Sequence, residues 1–157
     1  MTYAVELTEL DSIDAAHLRR HTTTTDIGEC VGMGLDALYT FVSEAGTAPN
    51  GPPQAAYPGD FQPGEELDLD LYLPIPGDLP SQGDIDIVTL DGGPAARTSH
   101  HGPYDEIGAA YEAVYEWVQE NGRGPAEAPR ELYLCGPDST PDPADYITDV
   151  VLPLRNE

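Results

Sequence analysis

Over residues 86–90, Asp-Ile-Val-Thr-Leu, polar and apolar side chains alternate apart from the Ile87-Val88 pair, and the segment reads as a strand. Asp91-Gly-Gly-Pro94 supplies turn residues, and residues 95–101 return as a second extended segment. The period then changes. Across residues 104–121, Ile107, Ala110, Tyr111, Val114, Trp117 and Val118 recur at steps of three and four, which aligns them along one side of an α-helix. Asp105 and Glu106 in its first turn suit the positive end of the helix dipole, and Asn121-Gly122 predicts its end. A Pro-rich link leads to a strand at 130–135, a loop at 136–145 and a last strand at 146–154.

The first half carries the same plan. A shift of 80 residues brings Leu10-Asp11 onto Leu90-Asp91, Ala15-Ala16 onto Ala95-Ala96, His21 onto His101 and Ile27-Gly28 onto Ile107-Gly108. A shift of 76 then brings Ala37 onto Ala113, Tyr39 onto Tyr115, Val42 onto Val118, Gly46 onto Gly122, Pro49 onto Pro125 and Tyr57 onto Tyr133. A shift of 79 closes the series, with Asp70, Leu73-Pro74 and Ile75 on Asp149, Leu152-Pro153 and Leu154. The drop from 80 to 76 predicts about four extra residues in the first copy, at a flexible helix start within 28–34. The expected fold is α+β, a single domain of two tandem βαββ units, residues 1–80 and 81–157. Two strand-rich copies are too few for a solenoid, so a pseudo-twofold pair is expected, with one main helix on each antiparallel sheet and a ligand cleft between the units.

Composition narrows the partners. The chain holds 29 Asp and Glu against six basic residues, all of them Arg, for a formal charge of −23. Phosphate neutralisation needs Lys and Arg, so direct nucleic-acid binding is excluded, and so is docking on anionic lipid. The acids are spread along the chain while the apolar periodicity persists between them. That predicts an ordered fold with an acidic solvated surface and a halophilic source, since screening acts within about 3 Å at 1 M salt. No apolar run approaches a membrane span, and residues 1–10 carry no signal-peptide pattern. A cytoplasmic monomer is expected.

The reactive side chains lack familiar catalytic spacing. Cys30 and Cys135 read as free structural thiols. His100 and His101 leave a strand on opposite faces, and His17 and His21, four apart in an extended segment, do not converge on one ion. No metal and no other cofactor is expected. There is no Gly-x-Ser-x-Gly motif, and the glycines at 28, 32 and 34 lack the Lys and Ser/Thr of a phosphate loop. In residues 130–135, Leu132 and Leu134 alternate with Glu131, Tyr133 and Cys135. The leucine face is expected beneath the helix, which puts Glu131 and Tyr133 on the outer, cleft side. From this pattern alone Glu131 is either one more exposed acid or a ligand-facing carboxylate.

The run His101-Gly-Pro-Tyr-Asp-Glu-Ile-Gly108, the helix through Trp117 and the strand Arg130-Glu-Leu-Tyr-Leu134 resemble the GyrI-like small-molecule-binding domain. That domain also serves as the effector-binding module of AraC-type and MerR-type transcription regulators. The resemblance covers essentially the whole chain, including the SOUL/SHS2-like βαββ duplication and the closing Val150-Val-Leu-Pro153. It implies a concave cleft in which a Glu of the second unit's post-helix strand meets cationic or polar aromatic ligands among aromatic side chains. The matching positions are Glu131, Tyr133 and Tyr104. In the first copy His21-Thr-Thr-Thr-Thr25 replaces the Gly-Pro-Tyr and Ala55 stands in place of Glu131, so the site leans on the second copy. Tyr57, and Tyr72 on the non-core face beside Asp70, are further candidate walls. Trp117 is core by its spacing, or a ligand contact if the resemblance extends to family members that hydrolyse cyclopropane-bearing compounds with a Trp and a Glu.

The expected function is small-molecule binding, in a sensing or sequestering role, with Glu131 as the anchor for a hydrophobic cation. No DNA-binding segment is expected before the first strand, so a role in transcription is expected to act through a separate protein. One alternative is hydrolysis of an electrophilic cyclopropane-type compound, with Glu131 as acid or base. The other is a protein-binding inhibitor module whose acidic surface meets a basic partner.

Overall fold

The computed structural model describes residues 3–23, 25–56, 66–77, 79–103, 106–135 and 140–155. In chain order the elements are β1 (Glu6–Leu10), β2 (Ile13–Thr23), α1 (Ile27–Glu44), β3 (Gln54–Ala56), β4 (Glu66–Pro74), β5 (Ile85–Leu90), β6 (Gly93–His101), α2 (Gly108–Glu120), β7 (Arg130–Cys135) and β8 (Ile147–Pro153). The class is α+β, and the strand pairs described below are antiparallel. No helix among the described residues is long and apolar enough to cross a membrane.

Two compact units form, one continuous and one split: Ser12–Asp91 is the first, and Met1–Asp11 with Gly92–Glu157 is the second. In the first, the strands run β3-β4-β2-β5. In the second they run β1-β6-β8-β7. Asp91-Gly-Gly-Pro94 therefore does not close a hairpin. It carries the chain from β5, which pairs with β2, into β6, which pairs with β1. Alternation along a strand fixes which residues share a face, but not which strand lies alongside.

In the first unit, β4 alternates buried Leu67, Leu69, Leu71 and Leu73 with Glu66, Asp68, Asp70 and Tyr72. Burying each leucine is worth about 1.5–3 kcal/mol relative to leaving it in water. Leu38, Phe41 and Val42 of α1 supply the facing stripe. In the second unit Ala110, Val114 and Val118 of α2 cover Ala96, Val150 and Leu152, with Leu154 completing the cluster. Both helices stop in the same way. Gly46 and Gly122, at φ 81° and 65°, take the left-handed conformation. Thr47 N–H bonds back to the Val42 carbonyl and Arg123 N–H to that of Val118, which satisfies the last turn.

The expected flexible start within 28–34 is regular helix: α1 has 18 residues against 13 in α2. Gly34 has a packing reason, because a Cβ there would run into Leu71 Cδ1 beneath it, whereas a Cβ at Gly32 would meet nothing within 4 Å. Gly32→Ala is expected to stabilise the protein by about 0.5–1 kcal/mol through helix propensity. Gly34→Ala is expected to destabilise it by about 1–2 kcal/mol, since overpacking a buried contact outweighs that gain. Urea unfolding midpoints moving in opposite directions are the check.

Candidate functional site

The site is built on the helix-side face of the unit that contains α2. Ladder partners share a face, so the register places side chains directly. Glu131 and Thr98 lie opposite Val150, and Tyr133 and His100 lie opposite Thr148. Val150 belongs to the core beneath α2. Glu131 and Tyr133 are therefore on the helix side, not the outer side expected from the leucines. Leu132 lies opposite Asp149, on the other face with Leu134, which is 44% exposed. The two leucines misled because α2 finds its apolar partners on the neighbouring strands, at Ala96, Val150 and Leu152, and hands one polar group of its own to β7.

That group is Tyr111. Its hydroxyl donates to Glu131 Oε2 at 2.6 Å, and the Tyr133 hydroxyl donates to Oε1 at 3.2 Å. Glu131 is buried. Burial pushes its carboxyl above the ordinary value of 4.5, while the two tyrosine hydroxyls and nearby His100 act in the opposite direction without cancelling it. No ion pair forms at Glu131 among the described residues.

His100 is buried on the same face. Its Nε2 lies 2.9 Å from the Pro103 carbonyl and its Nδ1 lies 2.8 Å from the Tyr3 hydroxyl. A carbonyl only accepts, so Nε2 donates to Pro103, and Nδ1 shares the second hydrogen bond with the Tyr3 hydroxyl. Thr148, between His100 and Tyr133, is wholly buried, and its hydroxyl has no hydrogen-bond partner among the described residues.

The opposite face of this unit holds a second buried acid. Asp149 takes Arg97 Nε at 2.6 Å together with the Ser99 hydroxyl. This acid has its cation within the unit; among the described residues Glu131 has none.

The other unit lacks the polar set at the matching ladder positions. Ala55 and Leu18 lie opposite Leu71, where Glu131 and Thr98 lie opposite Val150. Leu69, opposite Arg20, stands where Thr148 stands opposite His100. Tyr72 is on the non-core face, as expected, stacked on His17 with ring centroids 5.1 Å apart. His17 Nε2 and Nδ1 lie 2.7 Å and 2.9 Å from Asp70 and Asp86. Burial raises the Asp70 carboxyl, but hydrogen bonds from Arg19 and His17 outweigh it and hold the group below its ordinary value.

Of the expected site residues, then, the structure brings Glu131 and Tyr133 together. Trp117 packs against the apolar cluster under α2. Tyr72 is held in its own unit with His17. Tyr57 and Tyr104 lie outside the described residues. Tyr111, Tyr3, His100 and Thr148 were not singled out as site residues by pattern; only Tyr111 carried a signal, as a hydroxyl on an otherwise apolar helix face.

The sequence profile of the GyrI-like small-molecule-binding domain matches residues 3–155. This chain belongs to that family. Among solved structures, the GyrI-like chain is similar to the C-terminal domain of EcmrR, with 21% identity, a TM-score of 0.84 and full coverage of both chains. In a larger EcmrR chain, solved in complex with DNA, it spans 58% of the length, with 20% identity and a TM-score of 0.84. A hydrolase from Listeria innocua is similar at 13% identity and TM-score 0.72, over 96% of this chain and 91% of that one. SAV2435 bound to tetraphenylphosphonium is similar at 15% identity and TM-score 0.60, over 99% and 95%. At these identities the likeness establishes the shared fold. No curated protein matches by sequence.

Proposed function

We propose that this GyrI-like domain binds a hydrophobic cation at Glu131, in a sensing or sequestering role. The observation that carries the proposal is a buried carboxylate held by two tyrosine hydroxyls with no ion-pair partner among the described residues. Burial without a cation disfavours the ionised form, and an incoming cation supplies the missing partner. The rings of Tyr111 and Tyr133 can each add about 0.5–2 kcal/mol of cation–π attraction, and Tyr104 is proposed as a further wall. SAV2435, solved with tetraphenylphosphonium, supports the choice of ligand class. The matched ladders, Ala16 opposite Leu73 and Ala96 opposite Leu152, support an origin by βαββ duplication in which one copy lost or never gained the site. The charge of −23 supports a protein that works in concentrated salt.

The test is titration with tetraphenylphosphonium in about 1 M salt, which screens non-specific attraction to the acidic surface. Affinity is expected to rise with pH from the ordinary carboxyl value of 4.5 through the raised value of the folded protein, because the cation favours ionised Glu131. Affinity that stays flat across this range would contradict the proposal.

A second reading rests on the same raised carboxyl. A protonated Glu131 can act as a general acid in hydrolysis of an electrophilic small molecule. Turnover of a reactive cyclopropane compound, lost in Glu131→Gln with the melting transition intact, would select hydrolysis over sensing.

A further inference from the structure

Thr148 carries a hydroxyl whose position no hydrogen bond among the described residues explains. It is fully buried on the face that holds Glu131, and its Oγ1 has no partner among the described residues. An unsatisfied buried hydroxyl is costly, and native structures commonly reserve such groups for a water or a ligand. The neighbouring polar groups are already engaged. Tyr111 and Tyr133 donate to Glu131, while His100 uses Nε2 on the Pro103 carbonyl and Nδ1 on Tyr3. The fold does not require the hydroxyl, since the matching ladder position of the other unit is Leu69, equally buried.

Thr148 lies opposite Tyr133, two residues along β7 from Glu131, so the two are diagonal neighbours at roughly 7–8 Å between backbones. Side chains at that spacing can present two acceptors to one bridging group, each through a hydrogen bond of about 2.9 Å. Each Glu131 oxygen accepts one tyrosine proton and keeps a further lone pair.

We infer that the ligand of this site is a cation that carries N–H donors, a primary or secondary ammonium or an amidinium, bridging the Glu131 carboxylate and the Thr148 hydroxyl. This rests on the reading of Glu131 as the ligand anchor and adds a specificity residue to it. A phosphonium or quaternary ammonium meets only the charge.

The test compares 4-phenylbenzylammonium with its N,N,N-trimethyl counterpart, which has the same rings and charge but no N–H. Both are titrated in about 1 M salt into the wild type, Thr148→Val, Thr148→Ser and Glu131→Gln. The wild type is expected to prefer the ammonium. Thr148→Val should lower ammonium affinity about tenfold and leave the trimethyl compound unchanged, while Thr148→Ser retains the preference. Ligand-free Thr148→Val should melt at or above the wild type.

Unchanged ammonium affinity in Thr148→Val, with both ligands still weakened by Glu131→Gln, would overturn the bridge and leave the anchor standing. Equal losses for both ligands would reduce Thr148 to packing. A lower melting temperature for ligand-free Thr148→Val would mean that its hydroxyl already serves the fold. Binding indifferent to Glu131→Gln would remove the anchor itself, and the bridge with it.

Discussion

Replacing Glu131 by Gln is expected to stabilise the ligand-free protein at neutral pH while weakening its hold on a lipophilic cation by tenfold to about a hundredfold. The two effects share one cause. Burial raises the Glu131 carboxyl above its ordinary value of 4.5, so the folded state binds its proton more tightly than the unfolded chain does. The stability associated with that proton is fully present below the unfolded value and is lost as pH rises through the folded one. Gln holds its amide neutral throughout. The melting temperatures of the two proteins should therefore converge below about pH 4.5 and separate above it, with the variant higher. Tyr111 and Tyr133 remain able to bond to the amide, so the variant keeps its packing. A cation bound as proposed, by contrast, loses the carboxylate charge of Glu131.

Asp149→Asn should have the opposite effect on stability. The Asp149 side chain is 4% exposed, accepts from Ser99, and pairs with Arg97, which is 31% exposed. Removing one partner of a buried pair costs about 3–5 kcal/mol. Partial access of Arg97 to water reduces that, and about 2–3 kcal/mol is expected, read as a lower urea midpoint at neutral pH. An unchanged midpoint would mean that water replaces the carboxylate at Arg97. The contrast distinguishes the two buried acids of this unit: one is paired with a cation, and the other has none among the described residues.

Much of the local structure was legible in the sequence. Alternation put Tyr72 on the non-core face of its strand, the three- and four-residue steps forecast α2, and Asn121-Gly122 forecast its end. What local pattern could not carry was pairing. The placement of β1 beside β6 and of β5 beside β2 depends on contacts far apart in sequence. The same holds for Glu131, whose side of the sheet follows from its register with Val150 and not from the leucines next to it. Three glycines within 28–34 suggested a flexible start, yet Gly34 is there because Leu71 lies close beneath the helix. Tyr111 reads as one more residue of an apolar stripe until its hydroxyl is seen on an acid twenty residues away. Thr148 reads as an ordinary β-branched strand residue. The candidate site was therefore half visible: the acid and Tyr133 through family resemblance, and Tyr111, the other hydroxyl on the acid, only through the fold.

Glu131 is proposed as the charge that receives a cationic small molecule. The most direct measurement is a calorimetric titration of tetraphenylphosphonium, in about 1 M salt at neutral pH, into the wild type and Glu131→Gln side by side. Saturable binding by the wild type, weakened at least tenfold in a variant that is folded and more stable, is the predicted result. Equal affinity for the two proteins would contradict it.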